Sequence, residues 1–329
     1  MNRSQAVLSP DNRKILLGLA GVFALAFAFV SSNVAANHHP KPHDLPVAIV
    51  GSAQAADAFA RQLDSKVPGG FEVKPYGSEA AARTAILHRK VYGAFEPGPP
   101  PTLLVASAAS RSAETLLEQT FEQVARAQGQ TLVVRDLAPL PSSDSTGATS
   151  FAAVLSLIIA GVLGSSIMYM VTQGRPLGVR LASLLALGVG AGLMAALATN
   201  VVVGAFSGHF LAVWGVASLF VLALAFPIAA FQVLLGIRGT AVGLLVFLVI
   251  GNPASGGSTA PELLPGFWRA VSQVLPPGAA TTSMRDVVYF HGHGARNALL
   301  VLAIYAIVGA AATIMLYRVR RPHEIGATA

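Results

Sequence analysis

The chain has 329 residues, 53% of them hydrophobic and only 11% charged, with a formal net charge of +7 and no cysteine. A soluble domain carries about 25% charged residues, whereas the stretch 150–251 holds three, Arg175, Arg180 and Arg238, which points to lipid as its solvent. The basic excess flanks apolar runs without forming a stripe interleaved with aromatics, which excludes a nucleic-acid partner. The missing cysteines exclude disulfides, thiolate catalysis and thiolate metal sites.

In chain order, Ile15–Ala36 is the first run long enough to cross a bilayer, and Arg3, Arg13 and Lys14 precede it. Its basic start, the apolar stretch Ile15–Val30 and Val34-Ala35-Ala36 also fit a cleaved signal peptide. Residues 1–36 are read here as a cytoplasmic N-terminus and first span.

Residues 37–149 differ in character. After the Pro-broken His38-His39-Pro40-Lys41-Pro42-His43, an apolar strand Leu45–Gly51 leads into a helix Ala53–Ser65 with Ala56, Phe59, Ala60 and Leu63 as its stripe. Strand Phe71–Tyr76, helix Ser78–Lys90, and strands Val91–Glu96 and Thr102–Ser107 follow. Helix Ser112–Gln128 buries Leu117, Phe121 and Val124, strand Thr131–Asp136 is last, and Pro139–Thr149 is a linker. The order β-α-β-α-β-β-α-β predicts a small α/β domain with one core. No catalytic constellation emerges: Gly51-Ser52-Ala53 reads as a strand–helix turn, and the three histidines read as a solvated linker.

Residues 150–329 read as five further spans: Phe151–Thr172, Leu181–Phe206, Phe210–Leu235, the 11-residue Ala241–Gly251, and Asn297–Tyr317. Lys and Arg are enriched on cytoplasmic flanks. With six crossings, the groups at Arg3/Arg13/Lys14, Arg175/Arg180, Arg238 and Arg318/Arg320/Arg321 all share one side. The expectation is therefore a mainly α membrane protein of the inner (plasma) membrane, with six transmembrane helices (1+5), both termini cytoplasmic and the α/β domain 37–149 extracytoplasmic.

None of these spans contains Asp, Glu, Lys, Arg or His, which argues against proton-coupled antiport and against a zinc or aspartyl intramembrane protease. Gly188, Gly192, Ala196, Asn200 and Gly204 recur every four residues, a spacing that permits close helix approach, and Asn200 is suited to hydrogen-bond across the contact. Such a stripe serves packing within the chain, a dimer seam or a substrate path. Pro227 is expected to kink its span, and Gln232 is a second polar group near the inner end.

The segment 252–296 breaks the helical pattern with Asn252-Pro253, Pro261, Pro265 and Pro276-Pro277. At membrane depth such backbone needs cover from protein or a wet cavity. Gly266–Leu275, with Phe267 and Trp268, reads as an amphipathic interfacial helix that Pro276-Pro277 breaks, followed by a short helix Ala279–Tyr289.

The run Gly251-Asn252-Pro253-Ala254-Ser255-Gly256-Gly257, then Pro261-Glu262-Leu263-Leu264-Pro265-Gly266-Phe267 and Leu275-Pro276-Pro277 with Arg285 beyond, resembles the segment before the last helix of ABC-2 type transporter permeases. The closest branch is the phage-infection-protein-like (YhgE/Pip) one, and Val91-Tyr92-Gly93-Ala94 resembles a strand of its outer domain. The resemblance implies a dimerising permease half with no Walker A motif, powered by a separate cytoplasmic ATPase that meets it near Arg175 and Arg180. That link, Gln173–Arg180, is eight residues long and lacks an obvious amphipathic coupling helix. The expected function is export of an apolar or amphipathic substrate, with no cofactor. The alternative is a non-transporting receptor or scaffold whose outer domain binds a phage, peptide or envelope component.

Overall fold

The computed structural model describes residues 10–38, 40–257 and 259–325. Arg3, His39, Ser258 and the side chain of Arg321, named above, lie outside the described residues. Helix α1 (Pro10–Asn37) leads into a domain made of β1 (Leu45–Val50), α2 (Ala53–Lys66), β2 (Phe71–Tyr76), α3 (Glu79–Leu87), β3 (Gly93–Glu96), β4 (Thr102–Val105), α4 (Arg111–Ala127) and β5 (Val133–Asp136). The predicted order stands. Ser52, Ser78 and Ser110 cap the three domain helices, each hydroxyl accepting from the amide three residues on, which satisfies donors that a helix start leaves unpaired.

The sheet runs β2-β1-β3-β4-β5. β1 pairs in parallel with β2 and β3, β3 is antiparallel to β4, and β4 is parallel to β5. Val47, Ala48 and Ile49 are all fully buried, so β1 is covered on both faces, as a parallel central strand must be. Phe95 stacks on Phe121 of α4 at 4.5 Å and meets Phe59 of α2 edge-on at 5.3 Å, contacts that add about 0.5–1.5 kcal/mol each beyond burial. The same apolar cluster includes Ala260, Leu263 and Phe290, from far along the chain. The domain completes its core with residues of the membrane half.

That half comprises α5 (Thr149–Val171), α6 (Leu177–Ala196, continuing π-helically as Leu197–Val202), α7 (Phe210–Leu235), α8 (Gly239–Gly243, continuing π-helically as Leu244–Ile250), α9 (Gly266–Ser272), α10 (Pro276–Tyr289) and α11 (Ala295–Ile325). Among the described residues, five helical stretches are long and apolar enough to cross a membrane: Asn12–Asn37, Thr149–Val171, Leu177–Val202, Phe210–Ile250 and Ala295–Arg320. Phe210–Ile250 is not one straight rod. Gly236 has φ 62° and ψ −149°, a region open essentially to glycine alone, and there the chain reverses. A Cβ on Gly239 would fall on the backbone of Phe231 and Gln232, and one on Gly243 would sit 2.6 Å from Ile228. α8 therefore runs back along α7, and its far end meets the domain end of α1, where Asn252 Nδ2 donates to Asn33 Oδ1 at 3.4 Å.

α7 is the hub, in contact with α5, α6, α8, α10 and α11. Gly188 and Gly192 of α6 face Leu222 and Ser218 of α7. The first part of the four-residue stripe thus packs within the chain, and Ala196 is buried. The rest does not continue the seam. Asn200 accepts from the His209 amide at 3.3 Å, closing the turn between α6 and α7 instead of bonding across a helix contact, and Gly204 lies in that turn with φ 74°. The α-helical winding ends at Ala196; Asn200 lies in the π-helical continuation, whose wider turn breaks the four-residue register, and Gly204 lies beyond it. Pro227 lies inside α7, and Gly309 of α11 sits against it, since a Cβ there would be 2.6 Å from the proline nitrogen.

A Cβ on Gly192 would lie 2.6 Å from the Ser218 amide nitrogen, whereas one on Gly190, two residues away, meets nothing within 4 Å. Gly192→Ala is expected to lower stability by about 1–3 kcal/mol through overpacking, and Gly190→Ala to leave it unchanged or slightly raised. Thermal unfolding of the detergent-solubilised pair measures the difference; equal midpoints would contradict the α6–α7 contact.

Candidate functional site

The broken segment folds into a cap between bundle and domain. Residues 251–257 are buried, and their backbone is held by Arg285, whose Nη1 donates to Gly256 O at 3.2 Å and whose Nη2 donates to Gly257 O. A guanidinium thus supplies partners that buried irregular backbone requires. Asn252 and Pro253 are buried in the turn, with Pro253 starting a 3₁₀ turn over Pro253–Ser255. Pro261 starts a second such turn, Pro261–Leu263, and Pro265 precedes α9. On α9, Phe267 is exposed and Trp268 half-buried, ring against ring at 5.2 Å. Arg269 of α9 reaches His43 O and Asp44, at 3.1 and 3.2 Å.

One expectation needs correction here. Pro276 and Pro277 do not break a helix; they open α10 at its first two positions, where a missing N–H costs nothing and the fixed φ suits the helix. α10 is nearly all buried, packed against α7 and α11.

The domain docks on this cap through groups that the sequence reading did not bring together. Arg89 Nε donates to Asp286 Oδ1 at 3.0 Å, and the Tyr92 hydroxyl donates to Glu262 Oε2 at 2.8 Å. The Arg89 guanidinium also lies 5.4 Å from the Tyr92 ring and 5.0 Å from the Phe290 ring. His88 and His293 stack at 4.0 Å. Arg89 holds φ 62° just past α3, where Lys90 N bonds Ala85 O and Arg89 N bonds Ile86 O, the pattern that normally takes glycine at this position. A left-handed arginine costs about 1–2 kcal/mol, retained here where the side chain bridges two parts of the molecule. Gly294 makes room: a Cβ there would sit 2.7 Å from Asp286 Oδ2 and 3.0 Å from Arg89 Cβ.

Beside these groups lies a cavity of about 400 Å³, lined by Arg89, Tyr92, Glu262, Thr281, Arg285 and Asp286 among others. It is polar, with two cations and two acids. Burial pushes the Asp286 carboxyl up to about 6, against the opposing pull of Arg89 and Arg285, and its Oδ2 has no hydrogen-bond partner among the described residues. Desolvation outweighs the ion pair because only one of the two oxygens is bonded. Burial, then Glu262, holds the Tyr92 hydroxyl protonated well above its ordinary range, so it serves as the donor.

At the opposite end, Arg175 lies exposed in the short link between α5 and α6, while Arg180 does not belong to that link. α6 begins at Leu177, and Arg180 is buried inside the bundle, 7% exposed. Its Nη2 donates to Gln232 Oε1 at 3.3 Å and Ala229 O at 3.4 Å. Gln232 Nε2 donates to Thr240 Oγ1 at 3.1 Å, which lies 2.9 Å from Ser166 Oγ. This polar chain joins four helices.

The comparisons with known proteins bear on what such an arrangement does. A family model described as ABC-2 family transporter protein matches residues 15–317. The chain belongs to this family. No curated protein and no solved structure matches it. As an ABC-2 family member it is a multi-pass membrane protein with a transport permease role, in a family of transporters and not of catalytic enzymes. The shared core and the Arg89–Asp286 bridge make the α/β domain of this permease a fixed part of the bundle.

Asp286 has a folded-state affinity for its proton above the ordinary 3.8. The sign follows: its contribution to junction stability is full below that value and is lost as pH rises through about 6. Hydrogen exchange across 252–258 and 89–92, corrected for intrinsic rate, should speed up between pH 4 and pH 7 (about the two pKa values). Asp286→Asn should abolish that change, and Arg89→Ala should push the Asp286 carboxyl further up and loosen the junction at neutral pH. A pH-independent junction in the wild type would contradict the assignment.

Proposed function

We propose that the chain is the permease half of an ATP-powered exporter of the phage-infection-protein-like (YhgE/Pip) branch, moving an apolar or amphipathic substrate across the inner membrane. The observation that carries this reading is the family match over residues 15–317. The protein crosses the membrane six times, α8 being the short fifth crossing, with both termini cytoplasmic and residues 37–149 outside. Arg13, Lys14, Arg175, Arg238, Arg318 and Arg320 support this through the positive-inside rule, and the reversal at Gly236 supports the return of α8 to the domain side.

The permease dimerises and couples to a separate ATPase at the end remote from the domain. Arg175 and the turn carrying Arg238, both exposed, are the contact surface; Arg180, turned inward, is not. The outer cap 252–296, held by Arg285 and by the Arg89–Asp286 pair, acts as the exit gate. Because the domain shares its core with that cap, domain movement and gate movement are one event.

The cysteine-free chain is its own background for labelling. Ser65→Cys should react with an impermeant maleimide on intact cells, and Arg318→Cys only after permeabilisation. Arg318→Cys labelled from outside would overturn the six-crossing count. For the transport reading, the tagged permease should retain an ATPase on purification, and proteoliposomes should hydrolyse ATP faster with substrate present. A complex with no nucleotidase would remove the proposal.

A further inference from the structure

The end of the bundle remote from the domain contains a second cavity, of about 350 Å³, lined by Tyr169, Gln173, Arg180, Gln232, Tyr317 and Arg320 among others. Its charge is one-sided. Arg180 is buried, and both of its hydrogen bonds leave from Nη2 to neutral oxygens, at 3.3 and 3.4 Å. Its guanidinium lies 4.9 Å from the Tyr169 ring. Arg320 donates from Nη1 to Val233 O, and from Nη2 to Leu234 O at 2.6 Å, across the open end of α7. No carboxylate among the described residues lines the cavity or pairs with either arginine.

A buried guanidinium without a counter-charge is expensive. Gln232 compensates only in part, since its amide is a dipole whose Nε2 is committed to Thr240. Nη1 and Nε of Arg180 make no hydrogen bond among the described residues, and Arg180 lines the cavity. Two guanidinium groups facing one wet space match the oxygen array of a phosphate. A second feature lies beside it in the chain: Met170, Val171 and Leu234, each next in sequence to a lining residue, are exposed and apolar. A phosphate that carries acyl chains would meet protein at both its ends, and basic pockets between helices near a cytoplasmic surface hold anionic headgroups in this way.

We propose that Arg180 and Arg320 form a phosphate-binding site at this end of the bundle, occupied by the headgroup of an anionic phospholipid. The site stands independently of ATP-driven export: a chain that transports nothing would still hold the lipid, and a working exporter could lack it.

The test uses the full-length protein in a phosphate-free, uncharged detergent, titrated with phosphatidylglycerol, with uncharged diacylglycerol or with inorganic phosphate, and read by native mass spectrometry and thermal unfolding. Phosphatidylglycerol should bind and raise the midpoint, and diacylglycerol should not. Arg180→Gln and Arg320→Gln should each weaken binding about tenfold, the loss of one charge-assisted contact of about 1.4 kcal/mol. Arg180→Lys should recover part of it. Arg238→Gln, an exposed arginine of the same end and outside the cavity, should bind as wild type does. Should Arg180→Gln fail to fold, Arg320→Gln carries the comparison. Inorganic phosphate that displaces the lipid only at much higher concentration supports the headgroup; phosphate that binds as tightly as the lipid overturns the lipid as source. Absence of binding by either, or an equal loss in Arg238→Gln, overturns the site.

Discussion

A 26-residue helix with no charged side chain anywhere on its circumference must find neighbours on every side, and α7 is such a helix. Lipid gives no hydrophobic reward for that contact, so closeness of approach has to supply the attraction. Where α5, α6, α8 and α11 meet α7, one partner is small: Gly161 against Leu224, Gly188 and Gly192 against Leu222 and Ser218, Gly243 against Ile228, and Gly309 against Pro227. The proline is part of this arrangement, because a glycine on α11 lets the two backbones meet there. The Thr313 hydroxyl, on the same helix, lies 3.0 Å from Phe226 O.

Dense apolar packing along the middle leaves polar chemistry only at the two ends. At one end a mixed set of charges, Arg89, Glu262, Arg285 and Asp286, ties a soluble-type domain to broken backbone. At the other, arginines and amides gather without acids among the described residues. The two ends therefore differ in kind. One is a balanced network whose members satisfy one another almost completely, with Asp286 Oδ2 the exception; the other is a cationic bowl held together by neutral oxygens.

Much of this was legible in the chain. The α/β order followed from short apolar runs alternating with three- and four-residue stripes. The apolar passages followed from composition alone. What escaped were relations between distant residues. Arg89 and Asp286 are 197 positions apart, and nothing near Arg89 marks its left-handed backbone, since arginine stands where glycine would have announced the turn. Arg180 read as a loop charge because a cation near an apolar run normally faces water; its partners, Gln232 and Ala229, lie on another helix. The stripe ending in Asn200 and Gly204 kept its period past Ala196, where α-helical winding gives way to a π-helical turn and then a loop, so periodicity alone overran the structure. Pro276-Pro277 carried two local meanings, helix breaker and helix opener, and tertiary packing selected the second.

The reversal at Gly236 also bears on how the chain enters the bilayer during synthesis. Ala241–Gly251 is 11 residues, well short of the roughly 20 needed for independent insertion. It packs along α7. On the proposed six-crossing topology the two arms partition as one hairpin, led by the longer arm, with Arg238 left behind at the surface where it was made. A non-glycine residue at position 236 would do more than strain a turn. On the proposed topology it would separate the short arm from the helix it packs along, and the count of crossings for everything downstream would change with it.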